Sequence, residues 1–260
     1  MLTDVVGLAL GDQHSMILKQ DGSLWKTGHN EYGQLGDGCT HDSFKFVRVS
    51  SSDWQAVTAG NDHSLALKQD GTVWTTGRNI YGQLGDGSMT DKSTFVRVFS
   101  GGASTVTAGR DYSMILKQDG SVWATGSNMY GQLGDGSTDD RSSFVKVMSS
   151  GAKAIAAGFG HSMILVEDNS VLATGWNVYG QLGDGSITST SHFHAVIKLS
   201  DVVVDGTTVS AENRFPSRLP VAIRASPTGC KRAIAFVNCF LYACCFARLC
   251  VVWCYIQCRL

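Results

Sequence analysis

Proline is nearly missing from this chain of 260 residues: there are three, all within 211–229. No proline-rich linker or polyproline segment therefore interrupts the first two hundred residues. Cysteine is as scarce there, with Cys39 alone before Cys230, which excludes a disulfide framework for that part. Basic charge is in deficit. Residues 1–205 hold 14 Lys and Arg against 21 Asp and Glu, a net −7, while 206–260 carry a net +6. An acidic region lacks the cationic stripe that grips phosphate backbones, so no direct nucleic-acid binding is expected. Helical apolar periodicity is absent, and no long apolar run precedes residue 233. The start, MLTDVVGLAL, has neither the basic flank nor the apolar length of a secretory signal. A cytoplasmic or nuclear location is the default expectation. The apolar fraction of 43% still supplies a folded core.

Glycine is abundant, at 30 residues, and its placement is periodic. YGQLGDG occurs at 32–38, 81–87, 130–136 and 179–185, always 49 residues apart. A period of this size implies stacked supersecondary units. Within one unit, SMILKQDGSVWATG at 113–126 has two β-prone runs around Asp119-Gly120, which predicts a hairpin with a type I′ turn. Asn169 replaces the turn glycine in the fourth copy, and Asn is the next most tolerant of left-handed backbone. SFVKV at 143–147 and KAIAAG at 153–158 add two more strands. Four strands per unit predict an all-β fold of four-stranded β-propeller blades.

AG..HS…LK.DGSVWATG.N.YGQLGDG closely resembles the repeat of the regulator of chromosome condensation family, over residues 4 to about 204. The resemblance implies a propeller that in the family has seven blades. Four copies imply an incomplete or open four-blade arc with two exposed sheet edges. A fragment, an arc completed by a partner copy, and an imperfect gene model all remain open. The family's roles include nucleotide exchange on a small GTPase, chromatin attachment and recruitment for ubiquitin ligases. Exchange activity in the family depends on a wedge-like insertion in one blade, and the uniform 49-residue spacing leaves no room for one.

No catalytic, cofactor or metal residue is expected. YGQLGDG lacks the Lys and Ser/Thr of a phosphate loop, so its glycines read as turn architecture. His14, His63 and His161 align with Tyr112, an exchange that suits a half-buried hydrogen-bonding group better than a metal ligand. Trp25, Trp74 and Trp123 align with Leu172, which reads as blade core. His192 and His194 read as a strand face. DGSVW differs from the sialidase Asp-box in its spacing, and the arginines such an enzyme needs are scattered.

On near-identical units, discrimination falls to the positions that differ. The residues flanking the loop Asn vary: His29 and Glu31, Arg78 and Ile80, Ser127 and Met129, Trp176 and Val178. So do the loops after the heptad, including Asp139, Asp140 and Arg141. These are the candidate interaction residues for a protein partner; neutral variation at exposed sites would give the same pattern.

The expected domains are a four-repeat region at 1–205, a linker at 206–229 and an apolar, Cys-rich tail at 230–260. Val202–Val204 could still form a last strand. The segment 233–258 has the length of a membrane anchor, but Arg248 sits near its middle. It reads either as a tail anchor or as non-native sequence. The reading that results is a noncatalytic scaffold; the alternatives are a regulator or exchange factor for a small GTPase and a module related to ubiquitin ligases.

Overall fold

A computed structural model describes residues 3–50 and 53–197, together with the short ladder at 203–204 and 207–208. The repeats form four antiparallel sheets of four strands each, in sequence order. The first comprises β1 (Val5–Leu10), β2 (His14–Lys19), β3 (Leu24–Gly28) and β4 (Ser43–Ser50). The second comprises β5 (Trp54–Ala59), β6 (His63–Lys68), β7 (Val73–Gly77) and β8 (Lys92–Phe99). The third comprises β9 (Ala103–Ala108), β10 (Tyr112–Lys117), β11 (Val122–Gly126) and β12 (Arg141–Met148). The fourth comprises β13 (Ala152–Ala157), β14 (His161–Val166), β15 (Val171–Gly175) and β16 (Thr190–Ile197). Among the described residues no strand of the first sheet pairs with the fourth, so the set of sheets is open. Val203–Val204 (β17) pairs with Thr207–Thr208 (β18) in a separate ladder rather than adding a strand to the fourth sheet.

The hairpin turn corrects the type I′ expectation. Gly120 N–H donates to the Lys117 carbonyl and Lys117 N–H to the Ser121 carbonyl, and only the glycine of Asp119-Gly120 has positive φ, at 75°. That is a longer bulged loop with one left-handed residue, a role Asn169 fills at φ 65°. The Asp does other work. Asp119 Oδ1 accepts the Ser121 N–H at 2.9 Å and its hydroxyl at 2.6 Å, and Trp123 Nε1 donates to that Ser oxygen at 3.2 Å. Asp21 with Ser23 and Asp70 with Thr72 repeat the pattern. These donors to the charged form hold Asp21, Asp70, Asp119 and Asp168 below the usual carboxylate range.

The two middle sheets bury both faces and the outer two bury one, which produces three apolar cores rather than one. Met16, Leu18 and Leu24 of the first sheet meet Trp54 and Ala66 of the second. Leu65, Leu67 and Val73 meet Ala103, Val106 and Ile115. Met114, Leu116 and Val122 meet Ala152 and Ile164. Strand side chains alternate between faces, so Leu65 and Leu67 enter one core while Ala66 between them enters the other.

The heptads close the seams. Gly33 carbonyl accepts the Thr76 hydroxyl at 2.9 Å and Gln34 carbonyl the Ser64 hydroxyl at 2.9 Å, both from the next sheet. Gly38 N–H donates to Ser93 O at 2.9 Å. The same three bonds recur one sheet on, from Thr125, Ser113 and Gly87, and again from Thr174, Ser162 and Gly136. A Cβ on Gly36, Gly85 or Gly134 would lie 2.3–2.9 Å from the ring of Phe95, Phe144 or Phe193. The glycines of YGQLGDG are therefore required by close approach as well as by turning.

Candidate protein-interaction face

The residues aligned with His14 lie inside the seams. His14 Nε2 is 2.9 Å from Ser64 Oγ and His63 Nε2 is 3.0 Å from Ser113 Oγ. Each of these serines gives its own proton to a heptad carbonyl, so Nε2–H must be the donor and Nδ1 the bare nitrogen. Nδ1 of both rings has no partner among the described residues. Burial without an acceptor for a second proton pushes both pKa values down to about 3. Tyr112 places its hydroxyl 3.0 Å from Ser162 Oγ and also donates to the His161 carbonyl. These are fully buried locks between sheets, rather than the half-buried groups expected, and His161 alone is half-exposed. The tryptophans are partly buried edges of the cores, as Trp74 and Trp123 show. His192 and His194 diverge: His194 Nε2 meets Asp184 at 3.0 Å, while the His192 backbone pairs with that of Asp135 in an isolated antiparallel bridge.

Lys26 carries no signal in the repeat pattern that marks it as special. It stands where the other copies have Thr75, Ala124 and Ala173, and it is fully buried. Its Nζ donates to the Gln34 carbonyl at 2.7 Å and lies 4.4 Å from the Phe95 ring. Burial drives its pKa well below the usual lysine range, against the opposing pull of Asp37.

The variable loops are rigidly held. Asn30, Asn79, Asn128 and Asn177 are fully buried between the two variable positions. Asn79 Oδ1 accepts the Leu84 N–H at 2.9 Å, and its Nδ2 reaches Asp86 Oδ1 at 3.0 Å and the Ser88 and Thr90 carbonyls. With the Asn pinned, the residue after it projects outward, while the residue before it is partly buried or, at Ser127, buried. Glu31, Ile80, Met129 and Val178 are exposed. His29 is half-buried, 3.0 Å from Gln34 Nε2 and 3.6 Å from Glu31. Arg78 pairs with Asp62 at 3.4 Å and lies over the Tyr32 ring of the preceding loop, 5.0 Å from its centroid.

Trp176 belongs to an aromatic group built from three loops. It stacks on Tyr130 at 5.4 Å and contacts Phe159 at 5.7 Å and Tyr179 at 5.4 Å. Arg110 lies over Phe159 at 4.6 Å and pairs with Asp111 at 3.3 Å. A shallow cavity of about 100 Å³ between Tyr81, Arg110, Met129, Tyr130 and Phe159 adjoins this group. Asp111 lines it with one oxygen unpartnered among the described residues, and burial raises its pKa above the ordinary range.

Asp139 is exposed, whereas Asp140 accepts the Asn128 N–H at 2.7 Å and Arg141 pairs with Asp135 at 2.7 Å. Those two are engaged in holding their own loop. Arg110, Asp111 and Phe159 escaped the sequence reading, although they satisfy the same criterion of variation. Asp12, Asn61, Arg110 and Phe159 occupy one register position, and Gln13, Asp62, Asp111 and Gly160 the next.

Four stacked four-stranded sheets with heptad-locked seams define an open array of β-propeller blades. Family models of the regulator of chromosome condensation (RCC1) repeat match residues 21–67, 70–116 and 119–165, and a second model of the same repeat matches 5–34, 54–83, 103–132 and 152–181. The chain belongs to the RCC1 repeat family. No curated protein is a sequence match for it. Its fold is similar to that of human WBSCR16, with a TM-score of 0.67 and 21% identity over 76% of this chain and 54% of that one. Yeast RCC1 (Prp20), solved bound to Kap60, gives 0.67 and 20% over 76% and 50%. Prp20p of Saccharomyces cerevisiae, described with its binding properties to Gsp1p and histones, gives 0.65 and 22% over 76% and 52%. The chain thus spans about half the length of these structures.

Proposed function

We propose that this chain is a noncatalytic protein-interaction scaffold whose partner is read by the residues flanking the four buried loop asparagines. One observation carries the reading: each loop clamps a buried Asn and leaves the residue after it, Glu31, Ile80, Met129 or Val178, exposed, while the heptads of the first three loops are bonded to the next sheet. Rigid loops reduce the ordering cost of association, and exposed Met, Ile and aromatic side chains supply contact area. Met129 is 64% exposed and Tyr179 82%, values that a partner would lower.

The test is capture of cellular partners by the full chain with and without Trp176→Ala plus Met129→Ala. Loss of the captured partners with unchanged thermal stability supports the reading. Capture indifferent to paired alanine substitutions in all four loops overturns it.

A second reading is favoured by the fold shared with Prp20p, which is described with its binding to Gsp1p and histones. As a regulator of a small GTPase, this chain would accelerate release of a fluorescent nucleotide from a Ran-like protein. Unchanged release sets that reading aside and leaves the scaffold, including a recruiting role for a ubiquitin ligase. The segment 233–258 lies outside the described residues, and among those described no helix is long and apolar enough to cross a membrane. Membrane association through 233–258 would keep the full chain in the pellet after carbonate extraction.

A further inference from the structure

The three internal seams have a fixed chemistry, and the two outer faces of the array carry its unmatched halves. On the fourth sheet, the heptad side, a Cβ on Gly183 or Gly185 would meet nothing within 4 Å among the described residues. Gln181, Met163, Leu165 and Val171 are partly exposed there, whereas Met114, Leu116 and Val122, at the third sheet's equivalent positions, are buried. His161 has no serine opposite it among the described residues.

On the first sheet, the receiving side, Leu8 is 71% exposed, while its equivalent Val106 is 7% exposed. Val5 is exposed as well, and the exposed Phe44 stands where Ser93, Ser142 and Ser191 meet the preceding heptad in the internal seams. The hydroxyl of Ser15, equivalent to those of Ser64, Ser113 and Ser162, makes no hydrogen bond among the described residues. Thr27 donates only to its own sheet, at Ser43 O, where Thr76 also reaches the preceding heptad.

We infer that the fourth sheet of one chain docks on the first sheet of a second copy, forming a seam of the internal kind. The template assigns its bonds: Ser15 of the partner copy to Gln181 O, its Thr27 to Gly180 O, His161 to the same Ser15, and Gly185 N–H to the partner's Phe44 O. Leu8 and Val5 would fill the core position that Val106 and Ala103 fill within the chain. The contact is head-to-tail, so its two surfaces are different and each can be blocked alone. Two copies joined at both seams hold eight blades, within the range that closes a propeller.

Gly183→Asn is the decisive variant. Asn tolerates the φ of +75° at this position, and its Cβ has open space in a single copy. At a docked seam that Cβ meets the partner's Phe46, as Gly134 shows at 2.3 Å from the Phe193 ring. Sedimentation of the full chain should reveal association at micromolar concentration. Gly183→Asn and, separately, Leu8→Arg should each weaken it by on the order of 10–100-fold. An equimolar mixture of the two variants should regain a two-chain species, because each supplies the face the other lacks. A monomeric wild-type chain overturns the inference, whether its outer sheets are bare or covered by residues 198–260. So does association that both substitutions leave unchanged, or a mixture that fails to restore it.

Discussion

Acidification should unfold this protein through its seam histidines, and His63→Tyr should remove half of that sensitivity. His63 is held neutral, with its pKa lowered from 6.5 to about 3 by complete burial. The unfolded chain therefore binds a proton that the folded chain refuses throughout the window between those values. Stability contributed by the neutral ring is present above pH 6.5 and is lost as pH falls toward 3. Between pH 7 and pH 5 the loss is about 2 kcal/mol, approaching about 1.4 kcal/mol for each further pH unit. His14, also lowered to about 3, contributes similarly. Tyr is the replacement the fold already uses at position 112, where its hydroxyl reaches both the next sheet's Ser and the following carbonyl. Burial raises that phenol's pKa, so it carries no charge in the acid range. Urea unfolding followed by tryptophan fluorescence from pH 4.5 to 7.5 measures the slope. The variant should show one proton fewer taken up on unfolding than the wild type. An unchanged slope would refute the claim that the buried, acceptor-less Nδ1 controls acid stability.

Exchanging Lys26 for Met should raise stability near neutral pH by about 1–3 kcal/mol, since the Gln34 carbonyl still accepts Ser64. Because burial lowers the Lys26 pKa below 10.5, wild-type stability should also climb toward that pH while the variant's stays flat. Gly134→Ala should cost roughly 3 kcal/mol more than Gly183→Ala in denaturant titrations; both share the left-handed backbone, but only the first meets a ring. Asn79→Ala should cost about 2–4 kcal/mol, because it orphans the buried Leu84 N–H and two carbonyl-bound contacts. A melting temperature equal to wild type would remove the Asn from its clamping role. Asn169→Gly should be neutral to slightly stabilising in the same assay, by up to about 1 kcal/mol, as it relieves a non-glycine φ of 65°.

The repeat period, the four strands per unit and the structural meaning of the heptad were legible in the letters. They follow from local rules: glycine where backbone turns, alternating apolar residues where a strand has a buried face, and Asp-Gly where a hairpin closes. The exchange of His for Tyr at position 112 correctly indicated a packing role. Its depth did not show, because burial depends on the serine of the next sheet, which lies 50 residues away. The turn type was misjudged for a related reason. Asp119 spends its carboxylate on Ser121, and that bond favours a longer loop than the dipeptide alone suggests.

Variation between copies pointed to His29, Glu31, Arg78, Ile80, Met129 and Trp176, yet it could not distinguish them from Asp140 and Arg141, whose partners lie within their own loop. Nor did it gather Tyr130, Phe159, Trp176 and Tyr179 into one aromatic group. Sequence by itself determined the unit, since secondary structure and turning are decided over a few residues. Only tertiary structure decided which glycines are needed for contact, that Lys26 is buried, and which two faces have no neighbouring sheet among the described residues. Those are properties of what stands opposite a residue, and the opposite surface belongs to a different copy of the repeat.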